Sequence, residues 1–156
     1  MGFQVSGLEY GQFAALFEMN DRQLAERNAV RKIVDANPGF PCRVSLQDAQ
    51  PGETVILVNY EHLAVASPYR SGHAVYVREK AEQAQPQINE VPEVLRTRLL
   101  SLRAYDDQGM MIEADVIPGR DVEALIEHLF ANPRTQFIHA HNARPGCFAA
   151  RIDRAA

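Results

Sequence analysis

The sequence predicts an α+β fold, a mainly antiparallel sheet with a few short helices packed on it, formed by a single domain spanning residues 1–156. Three observations carry that expectation. Short apolar-and-polar alternating segments follow one another through hairpin-type turns. One segment has a clean helical period. Regular alternation of strands with long helices, the mark of a parallel sheet, is missing.

Each element has a local reason. Phe13, Leu16 and Phe17 recur at helical spacing, and Asn20-Asp21-Arg22-Gln23 reads as a capping box that opens a second short helix carrying Leu24. Val30 to Val34 reads as a strand stopped by Asn37-Pro38-Gly39. Cys42-Arg43-Val44-Ser45-Leu46 alternates as a half-buried strand does, and Asp48 to Gly52 is a turn. Thr54 to Tyr60 is a continuous run of β-formers, which predicts a central strand. Ser67 to Gly72 is a loop by composition and feeds a strand from Ala74 to Arg78. The glutamine-rich stretch Lys80 to Asn89 predicts a mobile surface loop. Pro92 suits the first turn of a short helix through Arg96.

The C-terminal half is the most legible. Leu99–Tyr105 and Met110–Ile117 flank Asp106-Asp107-Gln108-Gly109, a hairpin signal. Val122, Leu125, Ile126, Leu129 and Phe130 then sit on one helical face, with Asn132-Pro133 as the stop. Thr135–Asn142 and Cys147–Ile152 form a second expected hairpin across Ala143-Arg144-Pro145-Gly146. Its register stays open. With a four-residue loop Asn142 and Cys147 share the face opposite the histidines, whereas with a three-residue loop His139, His141, Cys147 and Arg151 share one face.

Composition excludes several classes. The chain has 156 residues, 46% hydrophobic and 23% charged, with a net charge of −4. That balance is globular, and an acidic chain without basic–aromatic stripes is not expected to bind nucleic acid. Two cysteines make no disulfide framework. No apolar run is long enough for a membrane span, and Met1-Gly2-Phe3-Gln4-Val5 does not start like a signal peptide, so a cytoplasmic location is expected. No dinucleotide or triphosphate loop, H-E-x-x-H, C-x-x-C or G-x-S-x-G occurs, and no cofactor is expected. Fourteen arginines stand against two lysines. Coding bias accounts for such a ratio, as would arginines selected to grip a carboxylate or phosphate with two donors.

Candidate chemistry gathers in three clusters. The first runs from His139 to Cys147. On a strand His139 and His141 project to one side, with Cα atoms about 6.5–7 Å apart. The pair suits acid–base work, ligand binding or two positions of a metal site, or else is an ordinary hydrogen-bonded pair. With only two ligands in a local motif, no stoichiometric zinc is expected. The second cluster is Pro41 to Ser45, where Cys42 is either an inert buried thiol or a nucleophile based by His139 or His141. The third, Tyr69-Arg70-Ser71, is an anion-binding loop or a simple turn. Arg103 is expected to pair across its hairpin with Glu113 or Asp115, and His128 to be solvated.

These clusters resemble a family of small uncharacterised bacterial proteins, domain-of-unknown-function family 1203. The resembling stretches are Pro38 to Leu46, Pro68-Tyr69-Arg70-Ser71-Gly72, Leu100 to Tyr105, and His141-Asn142-Ala143-Arg144 through Gly146-Cys147. The resemblance implies one full-length domain and carries no activity. A proline tends to follow Ser-Gly in that family where this chain has His73, which argues against a catalytic His73. The reading that unites the clusters is a pocket in which Cys42 is nucleophile, His139 or His141 its base and Asn142 an oxyanion donor. Arg43, Tyr69, Arg70, Ser71 and Arg144 would hold a small anionic molecule there. A non-catalytic ligand-binding or interaction module is the alternative, and a metal-binding protein through His139 and His141 the second. Cys42, rather than Cys147, is the expected reactive thiol. A homodimer is compatible with the sequence, which does not determine the oligomeric state.

Overall fold

A computed structural model describes residues 2–156, and these form two antiparallel sheets. The strands are β1 (Gly2–Ser6), β2 (Ala29–Ile33), β3 (Thr54–Leu63), β4 (Ser71–Arg78), β5 (Leu99–Tyr105), β6 (Met111–Pro118), β7 (Phe137–Asn142) and β8 (Phe148–Ala155). The helices are α1 (Asp21–Glu26), α2 (Glu93–Arg96) and α3 (Val122–Ala131). One sheet has the order β1-β8-β7-β5-β6 and the other β2-β3-β4. The α+β class and both C-terminal hairpins are therefore as expected.

Local chemistry explains the elements that match. Asn20 and Gln23 exchange side-chain and backbone hydrogen bonds at 2.9 Å, the reciprocal cap that starts α1. Asp106 accepts from the N–H groups of Gln108 and Met110, and Gly109 takes φ +74°, which closes the β5–β6 turn at little steric cost. The periodic face of α3 is buried on the five-stranded sheet together with Leu100, Leu102, Ala104, Ile138, Ala140 and Ile152. Each buried leucine or isoleucine of this set contributes about 1.5–3 kcal/mol.

Two expectations fail. Cys42 to Leu46 is a turn, not a strand. Pro41 bridges to Asp48 and Cys42 to Tyr76, after which the chain folds back. The Leu46 N–H donates to the Cys42 carbonyl at 3.0 Å, and Leu46 itself has φ +53°. Its alternation reflects burial inside the fold on both sides of a turn rather than the two faces of a sheet. The Lys80–Asn89 stretch lacks regular structure but is fastened down. Its backbone N–H groups donate from Lys80 to the Tyr10 hydroxyl, from Ala84 to the Val44 carbonyl and from Asn89 to the Phe3 carbonyl, each at 2.9 Å. Gly7 lies under this segment, where an added Cβ would meet the Val44 oxygen at 2.2 Å.

The sheets meet across a seam of aromatic rings and histidines. One face of the three-stranded sheet carries Ile56, Val58, Tyr60 and His62 on β3 with His73, Val75 and Val77 on β4. Its apolar members join Phe13, Leu16, Leu24, Cys42 and Val44 in a second core. The far end of that face, where the histidines stand, abuts the side of the five-stranded sheet turned away from α3. Among the described residues, no helix is long and apolar enough to cross a membrane.

Candidate metal centre

Strand alternation on β7 sends Ile138 and Ala140 toward α3 and His139 and His141 to the other side, as expected. The β7–β8 register resolves the open question through both alternatives. Asn142 and Cys147 face each other across a four-residue loop, with the Asn142 N–H donating to the Cys147 carbonyl at 2.9 Å. A bulge then shifts the ladder between His141↔Phe148 and Ala140↔Ala150, so that His139 faces Arg151. Cys147 consequently lies off the histidine face, whereas Phe148 and Arg151 lie on it. On the other flank β5 places Ser101 opposite His141 and Arg103 opposite His139.

The second sheet adds two more imidazoles. His62 sits where the β3–β4 register shifts, between Tyr60 and Leu63, and His73 faces Tyr60 from β4. Ring centroids are 4.8 Å apart for His62–His73, 4.9 Å for His62–His141 and 5.1 Å for His73–His141. His139 lies 5.3 Å from His62, and Phe148 stacks on His62 at 5.2 Å with rings nearly parallel. One ligand nitrogen from each of His62, His73 and His141 falls within 4.8 Å of the others.

Hydrogen bonding leaves part of this cluster wanting a partner. The Nδ1 of His141 lies 3.0 Å from the Gly146 carbonyl, which can only accept, so the proton is on Nδ1 and Nε2 is a bare lone pair. That Nε2 is buried with no protein partner, and so is Nδ1 of His73. His62 Nδ1 meets His139 Nδ1 at 3.2 Å, so one donates and the other accepts, and Ser71 Oγ lies 3.2 Å from His62 Nε2. Two buried imidazole nitrogens without partners cost about 1–3 kcal/mol each unless something binds them.

Electrostatics favour neutral rings. Burial, then neighbouring histidines and arginines, lowers His62 to about 4 and His139 to about 2. Burial likewise lowers His141 to about 3 despite its bond to the Gly146 carbonyl, and His73 moves in the same direction. Arg103 contributes to all four shifts. The expected pairing of Arg103 with Glu113 or Asp115 does not form. Glu113 lies on the opposite side of the hairpin and binds His128, while Arg103 turns to the histidine face and donates to Ser101 Oγ at 3.3 Å. Among the described residues Arg103 has no carboxylate partner.

Of the other expected site residues, Cys42, Arg43 and Asn142 border one small cavity away from the histidines, and the rest separate. Cys42 is buried, and its sulfur accepts from the backbone N–H groups of Ser45 at 3.4 Å and Arg78 at 3.3 Å. No hydrogen bond joins it to a histidine among the described residues. Arg43 is buried and donates to the carbonyls of Phe148 and Pro41 and to the Cys147 sulfur. Asn142 is buried, with its amide nitrogen 3.6 Å from the same sulfur. Arg70 chelates Glu61 on the surface, and Arg144 is exposed in the hairpin loop. Tyr69 lies across the Tyr105 ring, and Ser71 alone of its loop reaches the histidines. A groove of about 1100 Å³ runs along residues 78–86 and the 45–53 turn, where Arg78 is already paired with Glu53. It contains no histidine.

Sequence reading missed His62 and set His73 aside as non-catalytic. Extending the even-numbered face Ile56, Val58, Tyr60 by one more step would have placed His62 inward. Ending the strand at Tyr60 hid it.

A family model described as "Protein of unknown function (DUF1203)" matches residues 39–154. No curated protein and no solved structure matches the chain.

Proposed function

The chain belongs to the DUF1203 family, and we propose that in this member the cluster of His62, His73 and His141 holds a divalent transition-metal ion between the two sheets. The observation that carries the reading is the pair of buried, partnerless imidazole nitrogens, the bare Nε2 of His141 and Nδ1 of His73, beside His62. Hydroxyl-poor imidazole sets of this kind suit zinc, copper, nickel or iron rather than magnesium or calcium. The Gly146 carbonyl fixes the tautomer of His141, the usual outer-shell role of a backbone oxygen. Ligand nitrogens sharing a tetrahedral ion stand roughly 3.4 Å apart, given bonds of about 2.0–2.1 Å. The present spread of up to 4.8 Å therefore requires the rings to draw together by a little over an ångström.

Three imidazoles leave a tetrahedral ion one position for water or an exogenous group. Arg103, a cation on the same face without an ion pair, supports the view that this group is a small anion. In this reading the anionic ligand expected from the sequence engages the histidine face rather than Cys42.

The test uses full-length protein stripped with chelator and titrated with Zn²⁺ and, for its spectrum, Co²⁺. One ion per chain is expected, with the intense visible bands of tetrahedral cobalt. His141→Ala should abolish binding, and His128→Ala, remote from the cluster, should leave it intact. Equal uptake by wild type and His141→Ala would overturn the assignment.

A further inference from the structure

The hairpin that ends in the histidine site also carries a second piece of chemistry on its opposite side. Arg43 is only 2% exposed, yet among the described residues it has no carboxylate partner. Its Nε donates to the Phe148 carbonyl at 2.7 Å and Nη1 to the Pro41 carbonyl at 2.6 Å. Its Nη2 donates to Cys147 Sγ at 2.9 Å, and of the three acceptors only that sulfur can carry a charge. A buried guanidinium fares poorly without a counter-charge, and burial is indeed what weakens its hold on the proton while Cys147 opposes that loss. Asn142 completes the group. It is 5% exposed, its Nδ2 points at the same sulfur, and its Oδ1 is buried with no hydrogen-bond partner.

We propose that Cys147 is a peroxide-reactive thiol, activated by Arg43 and held ready for oxidation to the sulfenic acid. The sulfur attacks one oxygen of a hydroperoxide, so the S–O bond forms as the O–O bond breaks. The leaving oxygen takes up the proton released by the thiol and departs as water or an alcohol. Sulfur is oxidised by two electrons and the peroxide reduced by two. Each neighbour has a task in that step. Arg43 steadies negative charge on the attacking sulfur and on the leaving oxygen. The Nδ2 of Asn142, 3.6 Å from the sulfur, adds a second donor to that charge. Access also fits. Cys147 is partly exposed, which leaves its sulfur within reach of a small hydroperoxide from solvent. Cys42, the other thiol, is buried and tied to two backbone N–H groups, which makes it an internal control.

The inference is independent of the metal assignment, so it is tested on full-length protein kept in chelator. Hydrogen peroxide is added at neutral pH in the presence of dimedone, and both cysteine peptides are followed by mass spectrometry beside free glutathione. Cys147 should be tagged at least about tenfold faster than Cys42 and than glutathione, as activated thiols are. Unfolding in urea should bring the two cysteines to similar rates. Arg43→Lys, which keeps a cation but loses the fork, should slow Cys147 by several-fold and leave Cys42 unchanged. If that variant fails to fold, the native-to-urea comparison in the wild type decides. Tagging of native Cys147 no faster than glutathione, or a Cys147:Cys42 ratio that survives urea, would overturn the proposal.

Discussion

The two faces of the five-stranded sheet come from the same strands and have opposite chemistry. Toward α3, β5 and β7 present Leu100, Leu102, Ala104, Ile138 and Ala140, every one of them fully buried among other apolar groups. On the reverse they present Ser101, Arg103, Phe137, His139 and His141 to four-histidine surroundings shared with β3 and β4. The first face is sealed from water by matching groups, whereas on the second His139 and His141 are buried beside part-exposed Ser101 and Arg103. The comparison teaches where this fold puts its stability and where it puts its chemistry. Apolar burial needs no partner of defined geometry, whereas each buried imidazole needs one for both of its nitrogens. Two register shifts fall beside the histidines, at Tyr60–Leu63 in the three-stranded sheet and at Ala140–His141 in the five-stranded one, bending the strands where rings must converge.

Perturbing the apolar face should have the largest effect. Leu129→Ala, at a position 1% exposed on α3, should lower unfolding stability by about 2–5 kcal/mol in denaturant melts. A loss under about 1 kcal/mol would mean that α3 contributes little to that core. The histidine face should dominate the response to acid. Its imidazoles have folded pKa values below the unfolded value of about 6.5, so above that pH both states are neutral and nothing is lost. As pH falls below about 6.5 the unfolded chain takes up protons that the folded one refuses, and stability drops toward the folded values. For metal-free protein the slope should be about 1.4 kcal/mol per pH unit for each histidine that stays neutral. Melts from pH 7.5 to 4.5 would show it, and a flat profile would contradict the neutral, buried cluster.

A smaller effect sharpens the contrast further. Replacing His141 by leucine removes the bare Nε2 along with the bond to the Gly146 carbonyl, so the metal-free protein should change by no more than about 1 kcal/mol. The same exchange should eliminate metal uptake. A loss above about 3 kcal/mol would instead assign His141 a structural task. Smallest of all, Arg70→Ala breaks an exposed bidentate pair with Glu61 and should shift stability by about 0–1 kcal/mol while leaving metal binding unaltered.

Most of what proved legible was local. The Asn20 cap, the Asp106–Gly109 turn and the face of α3 each depend on residues within a turn or two, whose preferences act before any tertiary contact exists. The Cys42–Leu46 stretch misled because alternation is also produced by a buried turn whose side chains enter two different cores. Arg103 misled for a related reason. Pairing with Glu113 looked local, but adjacent positions on a strand point to opposite faces, and the observed register sets Arg103 against Ala114.

The sequence by itself determined the class, the two C-terminal hairpins, α3 and the common direction of His139 and His141, because periods of 2 and 3.6 residues write those features into neighbouring positions. Tertiary structure alone decided which groups those histidines would meet. His62 reaches His139 across 77 positions of chain, and Arg43 reaches Cys147 across 104. No local pattern encodes such distances. They follow from the stacking of one sheet on another and from the four-residue β7–β8 loop, whose Asn142–Cys147 pairing turns Cys147 away from the imidazoles and toward a buried guanidinium.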